Sequence, residues 1–381
     1  MIRNILFLTL ILFFQIKHAH SQLVQVELYN QFNVKTLVVI PIEGKYNLLT
    51  EKGKLYKIKK NNIVYFTQVG DSISIWDSDK HIGIFSTAKF IGTGKTNIIK
   101  AESVYPALKE RRYEGDLFLE VENNALLIKN LVNIDSYLAG VVEAEAGPNA
   151  PYEFYKTQAI ISRTYLYEHI HREGSSYKIG DDVNFQVYKG MSVQNPSIKQ
   201  AVIHSRGLVI VDSLNQLITA VFHSNSGGTT ANSEDVWLTS RSYLKQTDDP
   251  FSLNQRNSQW RDSVKTEEWL DYFAQQGFDI NHDSVKNDVT NITQSNRIKY
   301  IKFDNDTLHC KRVRSKFKLR SAWFTAKLNG NFVVLEGRGY GHGVGLSQEG
   351  AMQMARQNYS FLDIINYYYK NVKVIHISKV G

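Results

Sequence analysis

Between residues 23 and 128 the apolar residues arrive in short runs broken by Gly, Asn and Asp. That spacing confines this third of the chain to β structure. Leu37-Val38-Val39-Ile40, Ile63-Val64-Tyr65-Phe66, Ile73-Ser74-Ile75-Trp76 and Leu117-Phe118-Leu119-Glu120-Val121 each read as a strand. The period changes at Asn133. Residues 133–145 read as a helix with Asn133 or Asp135 as its cap. A Gly147-Pro148-Asn149-Ala150-Pro151 turn follows, then a second helix from Tyr152 to about His171. Further on, strands are expected near 207–211, 217–223, 297–303 and 332–336, with helical pieces around 267–276. Two helices should close the chain, from Ser347 and from Ser360, where Ser360-x-x-Asp363 has the form of a capping box. The expected class is α+β: an antiparallel β region over residues 22–112 and a helix-containing region over 113–381.

The first residues carry an export signal. Arg3 supplies a positive start, residues 5–16 form a short apolar stretch, and Ala19-His20-Ser21 gives a small-x-small cleavage site. Residues 1–21 are therefore expected to be removed and the protein to be exported, to the periplasm, the cell envelope or the medium. No cysteine follows the site to carry a lipid anchor, and no later segment is apolar enough to span a bilayer. The formal net charge of +8 falls to +6 without Arg3 and Lys17, an excess too diffuse for a nucleic-acid site but suited to an anionic envelope surface. Cys310 is the sole cysteine, so no intramolecular disulfide can form, and a core position is expected for it. The 21 tyrosines against 6 prolines indicate an ordered chain whose polar-tipped aromatics suit sugar contact.

The chemistry concentrates in four segments. At about 100° per residue, Ile134, Leu138, Val141, Val142 and Glu145 share one stripe of the first helix, whereas Glu143 falls on the opposite face. Glu143 is expected to be solvated. Glu145, amid apolar neighbours, should lose hydration in its charged form, which raises its pKa toward the range of a general acid. In the second helix Lys156 and Arg163 lie two turns apart on roughly one face, and Arg163 sits among apolar residues where an arginine needs an acid or a ligand. The segment Phe222-His223-Ser224-Asn225-Ser226-Gly227-Gly228 runs from a strand into a loop whose backbone can approach a ligand closely. His223 and Ser224 are adjacent on a strand and point to opposite faces, so they make no nucleophile–base pair. In the glycine-rich stretch 337–351 the G-K-[ST] ending of a phosphate loop is missing, and the segment reads instead as a permissive loop presenting Tyr340 and His342 to a cleft. His169 and His171 are two apart on a helix and cannot face one metal ion.

In this order the segments resemble the SpoIID/LytB family. Tyr137-Leu138-Ala139-Gly140-Val141-Val142-Glu143-Ala144-Glu145 resembles its "YLxGVVxxE" motif, and residues 158–165 resemble its "QAxxxRTY" helix. Gln186-Val187-Tyr188-Lys189-Gly190 is similar to "QVYxG", residues 223–228 to "HSxSGG", and residues 339–348 to "GxGHGVGxSQ". The resemblance covers about 113–374. It implies a SpoIID-like fold and a lytic transglycosylase acting on peptidoglycan strands stripped of their stem peptides, with Glu145 as the catalytic glutamate. Substrate contacts are then expected from Lys156, Arg163, Gln186, Tyr188, His223, Ser224, Ser226, Tyr340, His342 and Gln348. Lys156 and Arg163 are expected to hold the lactyl carboxylate that stripping exposes. The implied partners are glycan strands and a wall amidase acting upstream. No nucleic-acid partner and no cofactor are expected.

The sequence departs from the family at two places. Ala146 stands where a methionine usually follows the glutamate, and Phe185 stands where some members carry a zinc-binding cysteine, so no metal is expected. Two other readings remain open at this stage: a glycan-binding modifier of a wall amidase without activity of its own, and a hydrolase pairing Glu145 with Asp181 or Asp182.

Overall fold

The computed structural model describes residues 22–174, 177–237, 239–303 and 306–380. The expected signal over residues 1–21 lies outside the described residues. Both helices and antiparallel sheets are present, as expected for an α+β chain.

The N-terminal part is two six-stranded antiparallel sheets. One runs in the order Leu23–Leu28, Ala125–Asn133, Asp116–Glu122, Thr87–Gly92, Tyr46–Thr50, Leu55–Ile58. The other runs Arg111–Glu114, Ile98–Tyr105, Thr36–Glu43, Val64–Val69, Ser72–Asp77, Lys80–Phe85. Alternation along each strand sends one set of side chains inward. In Thr36–Glu43, Leu37 and Val39 are fully buried while Val38 and Ile40 are only partly covered. The inward faces meet through Phe66 of the second sheet and Phe90 of the first, whose rings pack edge-on at 6.2 Å. The residue 112/113 division falls inside the strand Arg111–Glu114, and the sheets take in the chain as far as Asn133.

Helix α1 (Ile134–Ala146) starts where the strand Ala125–Asn133 ends. Asn133 caps it, its Oδ1 accepting from the backbone N–H of Asp135 at 2.8 Å and of Ser136 at 3.4 Å. Its buried residues Tyr137, Leu138, Val141 and Val142 join the core of the sandwich, so the sheets fix the axis of α1. Helix α2 (Tyr152–Glu173) lies against α1 and carries a buried run from Thr157 to Thr164. A third helix, α3 (Pro196–His204), packs on both.

Two further clusters complete the molecule. One unites the middle of α2 with the strand Leu208–Val211 and the closing helices Gln348–Arg356 and Phe361–Tyr368. The Ser360/Asp363 capping box forms as expected. The other is a four-stranded sheet in the order Gln259–Lys265, Phe332–Arg338, Phe324–Asn329, Asn291–Ile292, covered by the helices Thr266–Gln275, Asp283–Thr290 and Cys310–Lys316. Cys310 is buried there, and burial pushes its thiol up to about 12, so it is an unreactive core residue. The expected strand over 217–223 shortens to Phe222–His223, which pairs in parallel with Leu346–Ser347. Among the described residues no helix is long and apolar enough to cross a membrane.

Candidate active site

Where these parts meet there is a cleft of about 480 Å³, within the range of small-ligand sites. Glu145, from the last turn of α1, forms one wall with Tyr165, Phe185 and Val187. His223, Ser224, Tyr340, His342 and Gln348 line the same cleft, with Trp237 and Arg314. Six of the residues expected from the sequence therefore converge, although they span 203 positions from Glu145 to Gln348.

Two glycines make that convergence possible. A Cβ on Gly140 would lie 2.0 Å from the Gly190 carbonyl oxygen and 2.7 Å from the Tyr188 ring. Without one, the segment 186–190 crosses directly over α1, and the Val187 N–H reaches Glu145 Oε1 at 3.1 Å. Gly341, at φ +111°, lies where a Cβ would sit 2.7 Å from that of His223, which lets the glycine-rich loop press on the Phe222–His223 strand.

Glu145 is half-buried. Burial raises its pKa above the ordinary carboxyl value, opposed by the Val187 hydrogen bond and by the charge of Lys189. Its backbone carbonyl accepts from Gln348 Nε2 at 3.5 Å, and the same nitrogen donates to Gln158 Oε1 at 3.3 Å, tying the end of α1 to the C-terminal helices. Among the described residues that line this cleft, Glu145 is the one carboxylate.

The two histidines are neutral at pH 7. His223 Nδ1 donates to the Val344 carbonyl at 3.1 Å, which leaves Nε2 as a bare acceptor, buried without a partner among the described residues. Burial pushes its pKa well below the ordinary imidazole value, assisted by His342 and Arg297. His342 Nδ1 accepts the Val344 N–H at 3.0 Å, and burial with Arg314 nearby brings its pKa down to about 4. The His342 ring packs on Trp237 at 5.1 Å. Ser224 Oγ accepts from Asn257 Nδ2 at 3.2 Å. Tyr340 is 44% exposed at the rim and carries the Arg320 guanidinium over its ring.

Five expected contact residues lie elsewhere. Arg163 is 1% exposed and donates to the carbonyls of Ser205 at 2.7 Å, Leu208 at 3.3 Å and Val202 at 3.3 Å, with Asp135 at 3.8 Å. The partner its apolar setting demanded is the C-terminal end of α3, a helix the sequence reading did not anticipate. Lys156 pairs with Glu153 at 2.5 Å and lies over the Phe361 ring, away from the cleft. These two residues therefore make no clamp for a substrate carboxylate. Gln186 donates to the Ser162 carbonyl, Tyr188 packs against Tyr113 and Tyr137, and Ser226 donates to Asp249 at 2.7 Å; all three are buried. Their work is to hold the walls in place.

Glu143 also differs from expectation. It is half-buried, accepting from Ser192 Oγ and from the backbone N–H groups of Val193 and Gln194, and so anchors the loop before α3. Asp181 is taken up by Arg111 at 2.6 Å and the Tyr29 N–H at 2.9 Å, and Asp182 closes a local turn onto the Asn184 N–H. Neither lines the cleft. At the position where some SpoIID-like chains carry a zinc-binding cysteine, Phe185 packs between Tyr165 and His169 and offers no donor, so these residues do not fit a zinc site. Trp237 and Arg314 were missed. Neither stands in a motif, and only tertiary packing carries them to the cleft.

The family model described as stage II sporulation protein matches residues 122–211, which hold Glu145 and the 186–190 segment. An uncharacterized protein of Brachyspira hyodysenteriae is 26% identical over 370 residues, 95% of each chain. Stage II sporulation protein D of Bacillus subtilis is 30% identical over 259 residues, 64% of this chain and 74% of that one. The amidase enhancer of Bacillus subtilis is 27% identical over 283 residues, 61% of this chain but 39% of its own length. With the five motifs in order, their glutamate in the cleft, and a relative matched at this level over most of its length, the chain belongs to the SpoIID/LytB family.

Proposed function

We propose that this protein is an exported lytic transglycosylase that cleaves peptidoglycan strands between N-acetylmuramic acid and N-acetylglucosamine. The observation that carries the reading is the half-buried carboxyl of Glu145 in a cleft where it is the one acid among the described residues. Hydrolysis of a glycoside normally needs two carboxyl groups, about 5–10 Å apart. One suffices when the nucleophile is supplied by the substrate itself.

In the first step the Glu145 carboxylic acid protonates the glycosidic oxygen as the bond to the muramyl C1 breaks. The raised pKa keeps a larger share of the carboxyl in the acid form near neutral pH than an ordinary glutamate would hold. The carboxylate then removes the proton of the muramyl C6 hydroxyl as that oxygen bonds to C1. The products are a free 4-hydroxyl on N-acetylglucosamine and a 1,6-anhydromuramyl end. No water is consumed, and Glu145 returns protonated. The half-exposed Tyr340 and the tilted Trp237–His342 pair supply apolar faces for sugar rings. His223 supplies a free acceptor, Nε2, rather than charge, while the His342 ring, bonded to the backbone of Val344 and Phe222, shapes the wall. Relatives named for sporulation and for amidase enhancement support a cell-wall role, with a wall amidase as the enzyme that strips the strands upstream.

The test is a digest of peptide-free glycan strands by the wild-type protein and Glu145→Gln. Anhydromuramyl ends made only by the wild type support the reading. Reducing muramyl ends would mean hydrolysis, and intact strands with a folded protein would mean a glycan-binding modifier.

A further inference from the structure

Among the described residues that line the cleft, Arg314 is the one arginine or lysine, and the fold engages only its Nε. It sits on the helix Cys310–Lys316 and is half-buried. Its Nε donates to the Leu319 carbonyl at 3.2 Å, but its two terminal nitrogens meet no acceptor and no carboxylate among the described residues. Burial lowers its pKa, as expected for a charge moved partly out of water without a counter-ion. The neighbouring arginines are occupied. Arg297 donates to the carbonyls of Thr229 at 2.7 Å and Ser226 at 2.5 Å and stacks on Trp323, and Arg320 lies over Tyr340.

The surroundings favour an anion. The cleft adjoins a second cavity of about 210 Å³ through Trp237, Arg314 and His342, which line both. Arg297 and Lys311 line that cavity too, against one carboxylate among the described residues, Asp235, which accepts from Asn232 at 2.9 Å. The cation acting on the Glu145 carboxyl is Lys189, so Arg314 serves a separate point of the cleft. A guanidinium with both terminal nitrogens free matches a carboxylate two-for-two.

We propose that Arg314 binds the lactyl carboxylate of a muramic acid residue that carries no peptide. The proposal rests on the glycan-strand reading above. When a stem peptide is attached, that carboxyl is a neutral amide, so the same side chain would distinguish stripped from peptide-bearing strands by charge. Arg314 is thus a specificity residue, distinct from the acid–base group.

Binding, not cleavage, tests this, using the Glu145→Gln protein so that strands stay intact. Peptide-free strands are compared with the same strands after conversion of their lactyl carboxyls to primary amides. The expected preference for the carboxylate form is roughly tenfold or more, the scale of a hydrogen-bonded charge pair. Arg314→Met should abolish the preference by weakening carboxylate binding alone, and Arg314→Lys should restore part of it. Equal binding of the two strands by the protein with Arg314 intact overturns the proposal, and this comparison stands even if Arg314→Met fails to fold. A preference that survives in folded Arg314→Met overturns it as well. Failure to bind either strand refutes the glycan-strand reading itself, and the proposal with it.

Discussion

Gly140→Ala should destabilise the protein, against the usual expectation for a helix interior. Alanine is favoured over glycine in a helix by about 1 kcal/mol, so propensity alone predicts a gain. The structure predicts the opposite because the new methyl would sit 2.0 Å from the Gly190 carbonyl oxygen, a backbone atom that no rotamer change can move. Relief requires the segment 186–190 to lift from α1. That loosens the fully buried Tyr188 and stretches the Val187 hydrogen bond to Glu145. Overpacking of this kind costs about 1–3 kcal/mol and a lost hydrogen bond about 1 kcal/mol. Set against the propensity gain, the net loss is about 1–3 kcal/mol. Urea unfolding followed by circular dichroism measures it. The loss of the Val187 donor should also raise the Glu145 pKa further and move the alkaline limb of any pH–rate profile upward. A midpoint equal to or above wild type would refute the close approach of the loop to the helix, and with it the account of how Glu145 is held.

Three further outcomes follow from particular contacts. Arg163→Met should destabilise by about 1–3 kcal/mol in urea unfolding, the cost of leaving buried acceptors unsatisfied, because three carbonyls lose the arginine donor while Asp135 keeps Arg206 at 2.7 Å; a near-neutral result would contradict its structural role. Glu145→Gln should be more stable than wild type at neutral pH. The folded pKa of Glu145 is raised, so its contribution is fully present below the unfolded carboxyl pKa and is lost as pH rises through the folded value; the difference should shrink toward pH 4, and a constant gap would count against burial as the cause. His342, brought down to about 4, has the reverse dependence: between that value and the ordinary imidazole pKa the unfolded chain holds more protons, so stability should fall on acidification from about pH 6.5 to 4. His342→Asn should flatten that slope in acid titrations followed by tryptophan fluorescence.

What the sequence disclosed was whatever depended on local period. The antiparallel N-terminal β region, the first two helices and the Ser360 box follow from alternation, helical stripes and caps that neighbouring residues decide, whereas its division into two sheets does not. The same stripe separated Glu145 from Glu143, and only Glu145 lines the cleft. Distant partners were hidden. Arg163 was read rightly as needing a counterpart, but the counterpart is a helix end some 40 residues on. Tyr188 and Gln186 carry the marks of a site, yet their burial beside α1 makes them supports for it. Arg314 sits in the run Cys310-Lys311-Arg312-Val313-Arg314-Ser315-Lys316, where nothing distinguishes it from Arg312 until the helix is packed; Arg312 is exposed and only Arg314 reaches the cleft.

The central claim is that one carboxyl group performs both proton transfers in a cut that consumes no water. Mass spectrometry of the ends released from peptide-free strands tests it most directly. Muramyl ends lighter by one water are expected with wild type and none with Glu145→Gln. Reducing ends at the full hydrated mass, or undiminished cleavage by Glu145→Gln, would contradict it.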